Sequence, residues 1–502
     1  MRRAALAARF AHIAQNLIFY FVNVVDFSLY QRGAAGCIMC EEIQAGPRPK
    51  GGTDMERTAT GEMQFSLLKM TWPVFIELLL QMLVGNIDQI MLSHYNETAV
   101  AAVGNANQIM NTLILTFTVI SLAATILLSQ YLGARQFGKV RQIYTLAAGL
   151  NLVLSLVITV GLLLGADGLF AIMQVPPEAV PEARSYLLIA ALSLPCQALM
   201  LTFSAFLRAH AHMLVIMCST GVINLINIVG NTAFIYGLGP LPRLGAAGAA
   251  LSTSLCRTAG MLMMLFAFFK SVEGATLSPK VLRPFPTELL RRLLSIGLPA
   301  GGEGLSYNLS QSTSLVFVNT IGTYAVTARM YMNMFAQVCY MLVNAVSQAA
   351  GIIIGYCIGA RDFDRADREN WRVLRLFAPV TMGIALLLAI LARPLFSLFT
   401  TDERVIALGC RTMWVEVVLE IGRAFNIVLV RNLQAVGDVK FPVALGILSQ
   451  WIVGVGIAWL FGIYLGWGLV GIWMAFALDE NLRAVLFIIR WKAGKWRSIK
   501  TV

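Results

Sequence analysis

The sequence predicts an all-α integral membrane protein: twelve transmembrane helices in two six-helix lobes related by a parallel internal repeat. Three observations predict it. Hydrophobic residues make up 58% of the 502 and charged residues only 13%, with mean hydropathy +0.73. Soluble domains carry roughly 45–50% apolar and about 25% charged residues, so this excess cannot be hidden in soluble cores. From residue 71 onward, twelve apolar runs approach the ~20 residues that a helix needs to cross a bilayer. The chain also repeats itself at one fixed offset of 226 residues. A soluble enzyme, a coiled coil and a disordered chain are thereby excluded.

The first six runs centre near Leu83, Thr116, Leu154, Leu194, Ile228 and Met261. The second six centre near Val316, Cys339, Ile384, Leu419, Val455 and Ala477. Connections are short and rich in Gly, Pro and charge, as at Gly239-Pro240-Leu241-Pro242. The longest break, 271–292, holds Pro279, Pro284 and Pro286 and reads as the linker between an N-lobe over 63–275 and a C-lobe over 276–502. Residues 1–62 read as an N-terminal extension. Within it, Phe10 to Tyr30 is apolar but interrupted by Asn16, Asn23 and Asp26, and it has no clear signal-peptide cleavage pattern. A start at Met55 or Met63 leaves a twelve-span protein, so the extension reads as a misassigned start or a dispensable segment.

Basic residues set orientation. The even-numbered connections and the C-terminus hold clusters such as Arg135/Lys139/Arg141, Arg361/Arg365/Arg368/Arg372/Arg375 and Arg490/Lys492/Lys495/Arg497. The odd-numbered connections hold only Arg184, Arg243, Arg393 and Arg404, so the split is twenty-one against four. Both ends of the twelve-span body are therefore expected in the cytoplasm, with the chain in the cell (inner) membrane. The net charge of +12 is then a membrane-face signal and implies no nucleic acid. The eight Cys are scattered, mostly in apolar runs, and imply no disulfide framework. Cys37 and Cys40 form a lone C-x-x-C without a second pair or a nearby His. With four His in all, no metal site and no cofactor are implied.

The repeat holds one register across four spans. Pro73 maps to Pro299, Glu77 to Glu303, Asn107 to Asn333 and Ser121 to Ser347. Gly133-Ala134-Arg135 maps to Gly359-Ala360-Arg361, and Leu207 to Leu433. Six spans per repeat is an even number, so both halves enter from the same side. Parallel repeats of this kind are a transporter architecture, with substrate bound between halves that alternate in access.

Ionisable groups inside spans are costly and usually functional. In span one, Glu77, Gln81 and Asp88 at i, i+4 and i+11 form one polar stripe. Span seven repeats it with Glu303, Tyr307, Ser310 and Ser314. In span five, Asn224, Asn227 and Asn231 share a face. A carboxylate so placed can carry a proton or sodium and compete for it with a cationic substrate. The alternative reading is a hydrogen-bonded structural acid, and Glu77 lies near a span end that water can reach. Two further clusters read as structural, because their charges can pair within one helix: Glu416/Glu420/Arg423 in span ten and Asp479/Glu480/Arg483 in span twelve. Arg257 and Arg329 have no local acid and are expected to find partners on other helices. His210 and His212 fall in a short loop, with no metal role expected.

These residues resemble the multidrug and toxic compound extrusion (MATE) family of transporters, of the bacterial type. The resemblance covers roughly residues 63–495. It is carried by Trp72-Pro73 followed by Gly85-Asn86-Ile87-Asp88-Gln89-Ile90-Met91, by Leu207-Arg208-Ala209, by Leu433-Gln434-Ala435-Val436-Gly437-Asp438, and by Gly297-Leu298-Pro299 with Glu303. Asn224 and Asn227 match asparagines of the fifth span. The resemblance implies two six-helix lobes and antiport of organic, often cationic, compounds against protons or sodium. It makes Asp88 the N-lobe coupling acid, helped by Asn227. The chain departs from the family where it has Asn231 in place of an Asp found in many members. Arg423 also stands where some sodium-coupled members have an acid. The implied partners are a small organic substrate and the lipid bilayer, with no obligate protein partner. The rival readings are a major-facilitator transporter, whose loop motif Gly-Ala-Arg-Asp-Phe-Asp-Arg matches incompletely, and a flippase for lipid-linked sugars or metabolites. A membrane enzyme lacks a catalytic constellation.

Overall fold

The computed structural model describes residues 56–93, 95, 97–237 and 243–499. The Cys37–Cys40 pair, the Phe10–Tyr30 run and the Gly239–Pro242 turn lie outside the described residues. Long helices cover each of the twelve apolar runs. They are α1 (Glu56–Ser93), α2 (Glu97–Gly133), α3 (Phe137–Ile172), α4 (Val180–Leu192) with α5 (Leu194–Ala209), α6 (Met213–Tyr236) and α7 (Gly245–Ser271). After the linker come α8 (Thr287–Ile321), α9 (Thr323–Gly359), α10 (Phe363–Ile390), the short α11 (Ala392–Ser397), α12 (Glu403–Ala435), α13 (Lys440–Ser449) and α14 (Gly468–Lys492). Span four is one run but two helices, bent by 48° at Ser193. Pro195 lies in the first turn of α5, where its missing N–H removes a hydrogen bond that would join the two. Beyond α13 the eleventh span continues as two π-helical stretches, Gln450–Ile457 and Leu460–Tyr464.

Eight helices, and a ninth if the bent pair is one span, are long and apolar enough to cross a membrane among the described residues. Of the other helices, α11 is a short segment, while α8, α12 and α14 are long enough but more polar. They carry Glu303, the Glu416/Glu420/Arg423 cluster and the Asp479/Glu480/Arg483 cluster.

The chain forms two compact units. One runs to Ser121 and resumes over Thr145–Leu277; the other joins Leu122–Tyr144 to Ser278–Val502. In the first, small residues let α6 and α7 approach closely: a Cβ on Gly230 would strike Ser252 Oγ, and one on Gly248 would strike the Phe234 carbonyl. Its core includes Phe117, Phe170, Tyr186 and Leu187. In the second, α12 packs against α9 and α14 around Phe335, Phe396, Met413 and Trp473.

The repeat is visible in the backbone. Arg135 and Arg361, one offset apart, both take the left-handed conformation, with φ of 55° and 60°. So do Ala211 and Gly437, with φ of 60° and 87°. Within the second unit the two Gly-Ala-Arg turns meet. A Cβ on Gly133 would overlap the Tyr356 carbonyl, and one on Gly359 would overlap that of Gln130. Gln130 Nε2 also donates to the Ala435 carbonyl at 2.7 Å.

Candidate functional site

The eight expected site residues fall into two groups, one per unit. In the first unit α1 and α6 pack side by side. Their faces are joined by three bonds: Asn224 Nδ2 to the Leu80 carbonyl at 2.9 Å, Asn231 Nδ2 to Asp88 Oδ1 at 2.5 Å, and Tyr236 Oη to the Met91 carbonyl at 2.6 Å. Asn231 Nδ2 also donates to Asn227 Oδ1 at 3.1 Å. The three asparagines recur every three or four residues, so helical geometry alone brings them to one face. Asn227 and Asn231 are buried, while Asp88 is half-buried. The Oδ1 of Asn231 is buried without a hydrogen-bond partner.

Glu77 differs from the expectation that water reaches it. It is 2% exposed. Arg208 Nη2 lies 2.5 Å from its Oε1, and Gln81 Nε2 donates to the same oxygen at 3.1 Å. A carboxylate held this way is already neutralised. Arg208 belongs to the Leu207-Arg208-Ala209 turn, so the turn reaches back to the first helix.

In the second unit, α8, α9, α12, α14 and the π-helical start of span eleven surround a cavity of about 60 Å³. Tyr307, Ser310 and Ser314 line it, so most of the α8 stripe faces it as one surface. Glu303 is half-buried, and its Oε1 lies where a Cβ on Gly446 would come within 2.6 Å; the glycine makes room for the carboxylate.

The same cavity brings together the two charge clusters of spans ten and twelve. Each cluster pairs internally, as expected. Arg423 binds Glu416 at 3.1 Å and also Glu420; Arg483 binds Asp479 at 2.6 Å and Glu480 at 3.1 Å. Pairing of side chains within each helix lowers the cost of burying charge. The additional finding is that the clusters are joined across helices. Asn426 donates to Glu480, Trp473 Nε1 donates to Glu416 Oε2 at 2.7 Å, and Ser449 donates to Asp479. Gly422 permits this, because a Cβ there would come within 2.5–2.8 Å of the α14 backbone at Glu480 and Asn481. Buried oxygens remain without a partner at Glu420 Oε2, Asn426 Oδ1 and Gln450 Oε1. Four carboxylates against two guanidiniums make this interior acidic, with acceptors to spare. Spacing within each helix showed the clusters; that they share a cavity depends on helix packing.

Of the two orphan arginines, Arg257 Nη1 donates to Ser193 Oγ at 3.0 Å and approaches the Ala190 carbonyl at 3.4 Å. Arg329 Nη2 donates to the carbonyl and Oε1 of Gln311 at 3.2 and 3.3 Å. Both find partners on other helices, and those partners are neutral. Among the acids inside spans, Glu77, Glu416, Glu420, Asp479 and Glu480 each pair with arginine. Asp88 and Glu303 form no ion pair among the described residues.

Comparison with known proteins places this geometry. The MatE family model matches residues 73–233 and again 299–460, its two starts separated by the repeat offset. The uncharacterized transporter YisQ of Bacillus subtilis is 37% identical over 432 residues, covering 86% of this chain and 95% of the relative. The probable multidrug resistance protein NorM of Thermotoga maritima is 26% identical over 444 residues, covering 87% and 94%. In three dimensions, a MATE crystal structure in the straight conformation aligns with a TM-score of 0.80 at 20% identity, over 86% of this chain and 97% of that one. The Vibrio cholerae MATE transporter VcmN also aligns at 0.80, with 19% identity over 88% and 99%. With both repeats matched at their own register, the chain belongs to the MATE family of multidrug efflux transporters, multi-pass membrane proteins.

Proposed function

We propose that this transporter exports organic, mainly cationic compounds by antiport against inward-moving protons or sodium, through alternating access. One observation carries the reading: Asp88 and Glu303 lie on the first helix of each half and, among the described residues, form no ion pair with an arginine, lysine or histidine. A carboxylate without a fixed counter-charge is free to exchange one mobile cation for another. Asp88 is held by the Asn231 amide, which fixes its orientation and leaves its charge available. The names of the NorM relatives support a drug-like cargo. The basic residues of the even-numbered connections support a cytoplasmic location for both ends of the twelve-span body, with the chain in the inner membrane.

Efflux of a fluorescent organic cation from cells tests the reading, with and without a sodium gradient and with a protonophore. Wild-type efflux that collapses with one gradient and is lost in Asp88→Asn identifies both ion and acid. The Glu303→Gln variant tests the second acid in the same assay. Full efflux by both variants overturns the site.

A further inference from the structure

Helix α10 opens with a basic face. Arg368, Arg372 and Arg375 at i, i+4 and i+7 fall within about 60° of arc. Together with Asp367, Trp371 and Leu376 they line an open groove of about 620 Å³, separate from the acidic cavity. The acids nearby are largely engaged. Asp367 accepts from the indoles of both Trp371 and Trp491, at 3.1 and 2.8 Å, and Glu369 pairs with Arg372 at 3.4 Å. Arg368 and Arg375 are exposed and form no ion pair among the described residues. Lys492 adds a further cation, 5.5 Å from the centre of the Trp371 ring.

If these side chains were topology anchors alone, they would need no pocket and no alignment with anything beneath them. What lies beneath is specific. After Arg375 the helix carries no charge to its end, and its outer face is a row of exposed apolar side chains: Leu376, Val380, Met382, Leu386, Leu387 and Ile390. From Arg375 to Ile390 this row is about 22 Å long, more than the ~15 Å of one leaflet. Trp371 stands at the top of it, half-buried beside the arginines, where an indole suits a membrane interface. A soluble anion would use the cations and leave the stripe without a role. A membrane lipid uses both.

We propose that this groove holds the phosphate-bearing headgroup of an anionic phospholipid, with its acyl chains lying along the outer face of α10. The arginines bind the phosphate oxygens, as basic pockets between transmembrane helices do. The Trp371 ring, fixed through Asp367, packs against the glycerol region. The site is distinct from the transport acids and does not depend on the cargo.

The test is native mass spectrometry of the full chain in detergent, titrated with dioleoylphosphatidylglycerol, with dioleoylphosphatidylcholine as the neutral comparison and inorganic phosphate as competitor. The wild type is expected to retain the anionic lipid in preference to the neutral one, with no competition by millimolar phosphate. Arg368→Gln/Arg375→Gln is expected to weaken retention about ten-fold or more, since each basic side chain near the surface contributes. Arg368→Lys/Arg375→Lys keeps the charges and is expected to stay within about three-fold, which separates lost binding from misfolding. Lys280→Gln/Lys440→Gln, at two other connections, is expected to leave retention unchanged. Equal retention by wild type and the glutamine variant overturns the proposal and leaves topology anchors. Displacement by phosphate overturns it in favour of a soluble anion.

Discussion

Arg257 and Arg483 stand one repeat offset apart, yet Arg483 lies between two carboxylates while the hydrogen bonds of Arg257 among the described residues reach a serine hydroxyl and a peptide carbonyl. The positions matching Asp479 and Glu480 are Thr253 and Ser254. The repeat kept the arginine and changed what surrounds it. Removing each one therefore has a different consequence. Arg483→Leu strands two buried acids and is expected to cost about 3–5 kcal/mol. Arg257→Leu strands only neutral acceptors, for about 1–3 kcal/mol. Thermal melting of the two purified variants in the same detergent measures the difference, and equal losses contradict it.

Glu77 is expected to behave as a structural acid. Glu77→Gln removes the charge that Arg208 pairs with and is expected to cost about 1–3 kcal/mol in stability. The correctly inserted fraction should still transport with an unchanged ion dependence. A changed ion dependence at normal stability would return Glu77 to the coupling site.

The left-handed turn shared by the repeats is filled by Gly437 in one copy and Ala211 in the other. Glycine adopts that conformation without the steric cost borne by alanine. Ala211→Gly is expected to raise stability by about 0.5–1 kcal/mol, and Gly437→Ala to lower it by about 1 kcal/mol. The two melting shifts should have opposite signs.

The loop histidines give the folded state a pH dependence. Burial, and then the facing His212, push the His210 imidazole down from 6.5 to about 3, and burial also lowers that of His212. The folded state thus keeps His210 neutral where the unfolded chain takes up a proton. Stability is full above about pH 6.5 and falls as pH drops from there towards 3. Between pH 7 and pH 5 the loss from His210 is about 2 kcal/mol. His210→Gln should flatten that part of the pH profile; an unaltered profile excludes the imidazole as its source.

Much of this was legible in the sequence. The twelve runs, the repeat register and the stripe Glu77/Gln81/Asp88 all follow from spacing along one helix, and spacing is a property of the chain. The bend at Ser193 was readable from Pro195 but sits inside an uninterrupted apolar run, so hydropathy passes over it. The partner of Glu77 was not readable. Arg208 is 131 residues away, and only the packing of a turn against α1 joins them. The joining of the α12 and α14 clusters was hidden for the same reason: it depends on a close approach at Gly422, whose significance lies in what faces it.

The polarity of α8, α12 and α14 bears on how the protein is made. Nascent helices enter the bilayer one at a time or in small groups, and each is judged by its own hydrophobicity. The charges of α12 and α14 pair within their own helices, so each can arrive partly neutralised. Glu303 on α8 has no such internal partner and gains its packing against Gly446 only once α13 has been synthesised. The second half of the chain is therefore expected to settle late in biosynthesis. Truncation before Lys440 should leave α8 poorly inserted, although every residue of α8 itself is present.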